Sequence, residues 1–498
     1  MQKKRLSTIR LTETAPKETS LKLPAAEKRT RTRIQAALAA KVTIKDRTDN
    51  QAACFHGRTI DLHEEGARII LNSPLPLSSS VDIRFGPSRR YGDFQAEASP
   101  LWTHPSCEDG GFQTGLRFLK IEAAYLPALK KILEDYKLLD TGFAMLVQTI
   151  HQNLRGIKEL FDDFDREDNE EKNRIDFIET NKRDIFERLD GYFNRVWEII
   201  KGFEKDRYII HQDYYQQVLG YLLLDLIETN RHVYRKPLGY SGDYTMMNYI
   251  YDYHRDNYLG KSSYEKLINN YTCNIPISCS NIKRKDFLKE RILRTSQRKD
   301  GAGILSVGSG PARELTELLK EGKINKPLVF KCLDPEKLAL DYIESTINGI
   351  DPLKKRTLSI EYICKNVISL IRDRELKKTL QNQDFIYAFG IFDYLSDRIA
   401  SKLTGELVQL LANEGELIIF NISSRKNTYR AYYELLGEWN MIHRVEEQML
   451  AWTEEMNGLT KVKFEELPGD SNYLCLSITK TTPEKLSLKP FQLKQEMK

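Results

Sequence analysis

Apolar and polar residues alternate in short runs along the first quarter of the chain, with turn-forming pairs such as Gly86-Pro87 between them. Alternation with a period of two is typical of strands that bury one face, and regular short strands favour a small all-β barrel. The predicted strands are 40–44, 55–61, 67–71, 81–85, 96–104 and 115–119. A helix over 125–136 is predicted to close the barrel.

The pattern changes to helical spacing from about residue 140 to 298. Apolar residues recur every three or four positions in segments such as 178–202 and 212–228, which are predicted helices. The acidic run at 162–171 is predicted to be a solvated connection between two helices. The middle of the chain is therefore predicted to be an α-helical connector.

From about residue 302, predicted strands alternate with helices, which is the mark of a parallel α/β sheet. The last two strands flank a turn containing Pro468-Gly469-Asp470, so they are predicted to form an antiparallel hairpin at the sheet edge. Seven strands are predicted, at 303–307, 328–333, 358–363, 384–389, 416–421, 461–467 and 472–479. The predicted domains are a disordered basic leader (1–24), the barrel (25–138), the helical connector and lid (139–284), the α/β domain (285–482) and a flexible tail (483–498).

Composition adds limits on location and cofactors. No run of about 18 apolar residues occurs and no secretory signal starts the chain, so we expect a cytoplasmic protein without a transmembrane segment. The seven cysteines lack CxxC spacing, which argues against disulfides or zinc, and no metal is expected. Residues 1–47 hold thirteen Lys/Arg against four Asp/Glu. This segment could attract a polyanion, although for 1–24 disorder is the preferred interpretation.

A glycine-rich stretch, VGSGPARE, leads from the first strand of the α/β region into a helix. Gly308 and Gly310 allow a sharp turn and a close approach to a ligand. Pro311 suits the first helical turn. The third glycine of a dinucleotide-binding GxGxxG would stand at Arg313, and its absence weakens an NAD interpretation. With Ser309, these loop residues are predicted to contact a nucleotide-like cofactor.

Polar residues also follow the next strands. Asp334 ends the second strand, where a carboxylate can accept hydrogen bonds from ribose hydroxyls. The alternative is that Asp334 caps the helix starting near Glu336. Asn366, after the third strand, could meet an adenine edge.

The fourth strand runs into Gly390, Asp393 and Tyr394. These three residues are predicted to lie in the ligand crevice, because ligands of open α/β sheets bind outside the carboxyl ends of the strands.

Upstream of this fold, the motif KPLGYSGDYTMMN at 236–248 is unusual for a simple helix connection. Gly239 and Gly242 interrupt regular structure, and Tyr240 and Asp243 place polar groups beside apolar ones. We interpret the motif as a lid over the cofactor. The alternative is a tight turn that packs a helix against the α/β domain.

The stretches VGSGPARE, YAFGIFDYLSD and KPLGYSGDYTMMN, with the later pattern Asn421, Arg430 and Trp439, resemble a bacterial family of class I S-adenosylmethionine-dependent methyltransferases. That family is associated with the biosynthesis of 3-hydroxypalmitic acid methyl ester. The resemblance covers about residues 210–480. It implies S-adenosylmethionine as cofactor and a small or lipid-like acid as acceptor.

Methyl transfer from a sulfonium is an in-line displacement, so the enzyme aligns the nucleophile and excludes water. A carboxylate acceptor is already ionised and needs only a cation or donors to hold it. The candidate cations are Arg235, Lys236, Arg425 and Arg430. A hydroxyl or amine acceptor would need a base such as His232, Asp243 or Asp393. The predicted catalytic residues are Tyr240, Asp243, His232 and Asp393.

In the barrel region, Arg29 and Arg33 have RxxxR spacing, and Asp61, His63 and Gly66 lie in the run DLHEEG. The two stretches resemble the signatures of the PilZ domain over residues 28–120. The resemblance implies cyclic di-GMP as ligand, with arginines on phosphates and guanines and Asp61 on a guanine edge. His63 replaces the serine of the family pattern. A barrel kept only for packing is the alternative, and nucleic acid is unlikely because aromatic residues are not interleaved with the arginines.

The sequence thus predicts a multidomain protein: a PilZ-like β-barrel, an α-helical connector and a C-terminal Rossmann-like methyltransferase. Cyclic di-GMP would regulate methyl transfer by favouring one of two states. The alternatives are a non-catalytic sensor, or a scaffold that relays ligand state to protein partners.

Overall fold

The computed structural model describes residues 34–35, 38–44, 54–88, 90–106, 111–168, 170–425, 429–456 and 458–481. The predicted leader and tail lie outside these residues, as do Arg29 and Arg33. Among the helices of the described ranges, none is long and apolar enough to cross a membrane.

The first region is a closed antiparallel barrel. Its strands are β1 (Ile34–Gln35), β2 (Ala39–Ile44), β3 (Cys54–His63), β4 (Gly66–Leu71), β5 (Val81–Ser88), β6 (Gly92–Pro105) and β7 (Phe112–Ile121). Six strands run in the order β3-β2-β5-β6-β7-β4, and pairing of β3 with β4 closes the ring, while β1 adds to β3. The predicted barrel is confirmed; only the two-residue β1 was not predicted, because it is too short to show alternation. Helix α1 (Leu126–Asp135) follows and buries its apolar stripe.

Seven helices form the middle of the chain. They are α2 (Thr141–Glu167), α3 (Glu171–Ile200), α4 (Lys205–Gly220), α5 (Glu228–Arg235), α6 (Tyr244–Asp252), α7 (Ser263–Asn274) and α8 (Pro276–Arg298). The prediction of one helix at 212–228 was wrong. Helix α4 begins seven residues earlier and passes into a π-helical turn, Tyr221–Asp225, and α5 begins separately at Glu228 after the extended residue Ile227.

The predicted acidic connection at 162–171 is also mostly helical, since α2 continues to Glu167. Its acid Asp165 is not simply solvated. The carboxylate accepts from Arg174 at 3.0 and 3.1 Å and from the backbone N–H of Ser263 at 2.8 Å. These bonds join α2 to α3 and α7, which explains why an acidic residue is stable inside the bundle.

The last region is a seven-stranded sheet with helices on both faces. Its strands are β8 (Ala302–Val307), β9 (Leu328–Asp334), β10 (Leu358–Cys364), β11 (Gln383–Ala388), β12 (Leu411–Ile422), β13 (Thr460–Glu465) and β14 (Tyr473–Lys480). Its helices are α9 (Arg313–Lys320), α10 (Lys337–Asn348), α11 (Pro352–Lys355), α12 (Arg374–Thr379), α13 (Asp397–Leu410) and α14 (Glu446–Leu450).

The strand order is β10-β9-β8-β11-β12-β14-β13, and β14 runs antiparallel to both of its neighbours. The predicted seven strands and terminal hairpin are confirmed. The order reverses between β8 and β11, so the carboxyl ends of these two strands flank the expected ligand crevice. One continuous apolar core extends from the barrel through the helices to one face of this sheet.

Candidate cofactor cleft and its surroundings

The loop after β8 turns at two glycines. Gly308 and Gly310 have φ of +70° and +51°, which glycine adopts without strain. A Cβ atom at Gly308 would lie 2.3 Å from the side chain of Ile391, whereas one at Gly310 would meet nothing within 4 Å. Ser309 is buried, and its hydroxyl donates to the carbonyl of Ser306 at 3.2 Å. The space in front of Gly310 is therefore available to a ligand lying on the loop.

The start of helix α9 differs from the prediction for Pro311. The helix begins at Arg313 with Ala312 as N-cap, so Pro311 lies just outside the first turn. Arg313 points to the connector: its Nε donates to Oδ1 of Asn248 at 3.0 Å, and its guanidinium pairs with Asp252. The side chain that replaces the third glycine thus attaches α6 to the helix of the glycine loop.

Asp334 lies at the end of β9 against this loop. Its Oδ2 accepts from the backbone N–H of Gly310, and its Oδ1 accepts from that of Glu336, both at 2.9 Å. Burial raises the pKa of Asp334, and the two N–H groups oppose the rise. The carboxylate therefore holds the glycine loop and the turn before α10. The N-cap of α10 is Glu336, so Asp334 does not cap that helix itself, and its contact with a ribose stays a prediction.

Two further cofactor candidates lie at the carboxyl ends of neighbouring strands. Asn366 is exposed after β10, and its Oδ1 accepts from the N–H of Ile368 at 2.9 Å. The Ile368 side chain is exposed beside it. Gly390 follows β11 with φ of +71°, and a Cβ there would meet nothing within 4 Å. Gly310 and Gly390 thus both face open space at the carboxyl ends of β8 and β11.

Asp393 and Tyr394 follow Gly390 but face different surroundings. Asp393 is 1% exposed, and its Oδ1 accepts from the N–H of Ile422 at 2.6 Å. Burial raises its pKa to about 6, although Arg284 and Arg444 act in the opposite direction. The hydroxyl of Tyr394 accepts from the indole N–H of Trp439 at 2.6 Å.

The motif at 236–248 is built around a fully buried carboxylate. Asp243 caps the N-terminus of α6 by accepting from the N–H of Met246 at 2.9 Å. Nε2 of His232, on α5, lies 2.8 Å from both Asp243 oxygens. Two predicted catalytic residues, 11 positions apart in sequence, are therefore brought together as one His–Asp pair.

The same motif reaches across the crevice. Burial and the nearby acids Asp334, Glu336 and Asp243 raise the pKa of Tyr240. A Cβ at Gly242 would lie 2.8 Å from the Trp439 ring, so glycine permits that contact. These contacts are compatible with the predicted lid and with the alternative, a tight turn that packs a helix against the α/β domain, so the lid stays a prediction.

A small cavity of about 20 Å³, with room for about one water molecule, lies behind the motif. Its wall is mainly apolar and includes Val233, Met246 and Trp439. Asn230 and Asn281 add amide groups. Part of the wall is a second π-helical segment, Ala431–Leu436, between α13 and α14.

The predicted cations for an acceptor carboxylate are already engaged or exposed. Arg430 forms two hydrogen bonds to Glu434, at 2.8 and 2.9 Å. Nζ of Lys236 lies 3.5 Å from a Glu438 oxygen. Arg425 is half exposed beside two glutamates, and Arg235 is exposed.

Sequence reasoning missed two buried arginines at this edge of the sheet, Arg284 and Arg444. Arg284 is 2% exposed and Arg444 is fully buried. One signal for Arg284 was available: it continues the apolar stripe of α8 between Ile277 and Leu288, where a charged side chain is unusual.

In the barrel, the predicted ligand residues of the described chain meet at the β3–β4 hairpin. Asp61 is buried and forms an ion pair with Arg68 at 2.9 Å. Nδ1 of His63 accepts from the N–H of Glu65 at 3.0 Å. A Cβ at Gly66 would lie 2.2 Å from the carbonyl oxygen of Leu116. Strand β7 passes so close to position 66 that only glycine fits there.

A comparison with protein families identifies one family, over the barrel region. Residues 27–135 match the family model of the PilZ domain, which confirms that part of the prediction. A search of curated proteins finds no sequence that matches the chain.

Solved structures resemble larger parts of the chain at low identity. A possible exported protein from Bordetella parapertussis is 16% identical with a TM-score of 0.42, over 61% of this chain and 97% of that one. Magnesium protoporphyrin IX methyltransferase from Synechocystis PCC 6803, with bound S-adenosylmethionine, is 9% identical with a TM-score of 0.30, over 42% and 85%. An O-methyltransferase family protein from Burkholderia thailandensis is 12% identical with a TM-score of 0.30, over 43% and 63%.

Proposed function

We propose that the chain is a cyclic di-GMP-responsive, S-adenosylmethionine-dependent methyltransferase. The observation that carries the proposal is the strand order of the sheet, in which antiparallel β14 lies between β12 and the edge strand β13. Dehydrogenases of the doubly wound class have the order 3-2-1-4-5-6, without this inserted strand. The glycine loop and Asp334 lie at the reversal of strand order, where a nucleoside ligand binds.

The cofactor would lie across Gly308, Ser309, Gly310 and Pro311. Asp334 would accept from its ribose hydroxyls, Asn366 and Ile368 would border its base, and Gly390, Asp393 and Tyr394 would form the opposite wall. When bound, S-adenosylmethionine supplies an electrophilic methyl group. The Tyr240–Asp243 motif, attached through α6 and Arg313, would cover the crevice and exclude water.

The acceptor we propose is the carboxylate of a small or lipid-like acid. A carboxylate is ionised at neutral pH, so the protein needs to orient it rather than deprotonate it. For a hydroxyl or amine acceptor, the His232–Asp243 pair is the proposed base, because Asp243 fixes the imidazole through Nε2 and leaves Nδ1 to accept a proton. Asp393 is the weaker candidate, because it is bonded to Ile422.

Calorimetric titration tests the cofactor assignment. The wild-type chain should bind S-adenosylmethionine and cyclic di-GMP but not NAD. Asp334→Ala should lose S-adenosylmethionine binding alone, and Arg33→Ala should lose cyclic di-GMP binding alone. Binding of NAD with comparable affinity, or equal S-adenosylmethionine binding by wild type and Asp334→Ala, would contradict the proposal.

Helix α4 offers a route from the barrel to the crevice. On one side, the hydroxyl of Tyr136, just after α1, donates to Oδ2 of Asp213 at 2.7 Å. On the other side, Gln216 donates to the carbonyls of Leu435 and Leu436 at 3.0 and 3.2 Å, in the π-helical wall of the cavity. We propose that cyclic di-GMP acts through this helix.

Turnover tests the regulatory proposal. Labelled-methyl transfer to a cell extract should change when cyclic di-GMP is saturating, and Gln216→Leu should reduce that change while cyclic di-GMP binding persists. If cyclic di-GMP alters neither S-adenosylmethionine affinity nor turnover, it is not a regulator of this chain. Regulation requires that cyclic di-GMP bind two states of the protein with different affinities. Binding of both ligands without any methyl transfer would instead favour a non-catalytic sensor.

A further inference from the structure

Arg284 is a buried cation whose hydrogen-bonding capacity is mostly unused. It lies on α8 and is 2% exposed. Its Nη2 donates to Oδ1 of Asn281. Within the described part of the chain, neither its Nε nor its Nη1 has a hydrogen-bond acceptor. The carboxylate of Asp393 is near enough for Arg284 to lower its pKa, but it accepts no hydrogen bond from the guanidinium. Burying a charge in this way is costly, so an acceptor is expected from elsewhere.

Aromatic rings surround the guanidinium without supplying that acceptor. Its Cζ lies 3.5 Å from the ring centroid of Tyr473, 4.4 Å from that of Phe389 and 5.6 Å from that of Phe420. Such contacts favour a cation over a ring face and hold the guanidinium in place. They offset part of the desolvation cost but leave the N–H groups unpaired.

The guanidinium lies beside the proposed reaction site. Phe389 immediately precedes Gly390, which forms one wall of the crevice. Asn281, the one hydrogen-bond partner of Arg284 among the described residues, also lines the apolar cavity behind the lid motif. Tyr251 of α6 has a buried hydroxyl that is likewise without a partner among the described residues, and Arg284 is near enough to lower its pKa. The donors without partners, on Arg284 and Tyr251, therefore lie near both the crevice and the cavity.

We propose that Arg284 is a ligand-binding residue that receives a carboxylate in the crevice. This inference rests on the proposed function and names a subsite within it. Two carboxylates have the required chemistry: the amino-acid end of the cofactor and the acidic group of the acceptor. In either case the oxygens would accept from N–H groups of the guanidinium, an interaction stronger than one between neutral groups.

Three variants separate this role from a structural one: Arg284→Gln, Arg284→Lys and the control Arg298→Gln, an exposed arginine on the same helix. Thermal unfolding without ligand comes first. Arg284→Gln should unfold at about the same temperature as wild type, because the loss of the cation near Asp393 is offset by the removal of a buried charge with two nitrogens that lack acceptors. Calorimetry with S-adenosylmethionine and with its decarboxylated analogue, and labelled-methyl transfer to octanoate and palmitate, then identify the ligand.

If Arg284 binds the cofactor, Arg284→Gln should weaken S-adenosylmethionine binding about tenfold or more, while the decarboxylated analogue binds wild type and variant equally. If it binds the acceptor, S-adenosylmethionine affinity should persist and KM for the fatty acid should rise by a similar factor, with partial recovery in Arg284→Lys. Unchanged ligand affinity and unchanged KM would overturn the inference, as would a loss of stability without ligand in both Arg284 variants. Failure of wild type to bind S-adenosylmethionine would instead reject the proposed function, so the two failures are distinguishable.

Discussion

Arg284 and Arg444 lie at the same edge of the sheet but have opposite surroundings. Arg444 donates to a carboxylate oxygen of Asp397 at 2.8 Å, to Oδ1 of Asn421 at 2.7 Å, and to the carbonyl oxygens of Phe392 and Leu395. Arg284 donates to a single side-chain oxygen. The guanidinium of Arg444 completes a hydrogen-bond network at the strand ends. The guanidinium of Arg284 is held by aromatic rings, and its Nε and Nη1 have no acceptor among the described residues. The difference suggests that equal burial can accompany a structural role or a ligand-binding one.

The largest expected effect is on folding. Arg444→Met should lower the free energy of unfolding by about 3–5 kcal/mol, because it leaves the Asn421 oxygen and two carbonyl oxygens buried without donors. Arg284→Met should change it less, by about 1–2 kcal/mol, because the Asn281 oxygen loses its donor and the Asp393 carboxylate loses a neighbouring cation. Urea unfolding of both variants measures the contrast. Equal destabilisation by the two substitutions would remove the distinction between the arginines.

A smaller effect concerns Asp393, whose pKa responds to both arginines. Burial raises that pKa to about 6, above the value of about 4 for an unfolded chain. The folded state then binds the proton more tightly, so this group's stabilisation is present below about pH 4 and is lost as the pH rises through 6. The loss amounts to roughly 2–3 kcal/mol.

Comparison with Asp393→Asn isolates this contribution. Between pH 4 and 6, the free energy of unfolding of Asp393→Asn should fall less than that of wild type, because the variant lacks the titrating carboxyl. Urea unfolding curves of both proteins, recorded across this pH range, measure the difference. In an Arg284→Met background, the pKa of Asp393 should rise further, because one of the opposing cations is gone. A decline that is identical in wild type and Asp393→Asn would show that Asp393 does not titrate in this range.

Pattern alone was sufficient for the architecture and for naming candidate residues at the strand ends, whose ligand-binding roles stay predictions. Alternation with a period of two located the six strands of the barrel ring, and the glycine loop and Asp334 were recognisable because strand ends converge in a parallel sheet. The His232–Asp243 pair was named only as two separate candidates. Its geometry depends on the path of the chain between α5 and α6, and periodicity does not specify that path.

Other features escaped prediction for physical reasons. The π-helical segment Ala431–Leu436 has no distinct residue pattern, and the carbonyls of its last residues are bonded by Gln216 from a helix more than 200 positions earlier. Arg284 stands between Lys283 and Lys285. Such a run usually indicates a solvated face. The apolar stripe of α8 indicates instead that Arg284 is buried. Because burying a charge is costly, the sequence by itself favours the solvated face.

The last comparison concerns the asparagine partners of the two arginines and includes the smallest expected effect, that of Asn281→Ala. Asn421 accepts from Arg444 and also donates to the carbonyls of Ile422 and Ile442, each at 2.9 Å. Asn421→Ala should therefore cost about 2–3 kcal/mol of unfolding free energy.

Asn281 is the matched partner of Arg284, and Asn281→Ala should cost only about 1 kcal/mol, because one charge-assisted hydrogen bond is lost beside an already unsatisfied guanidinium. If a ligand carboxylate binds Arg284, this cost should shrink when the ligand is saturating, since the carboxylate supplies the missing acceptor. Thermal unfolding with and without the ligand identified for Arg284 measures the change. A cost that stays the same in both conditions would mean that the ligand's carboxylate does not reach the guanidinium, and that Arg284 and Arg444 differ in degree of pairing rather than in role.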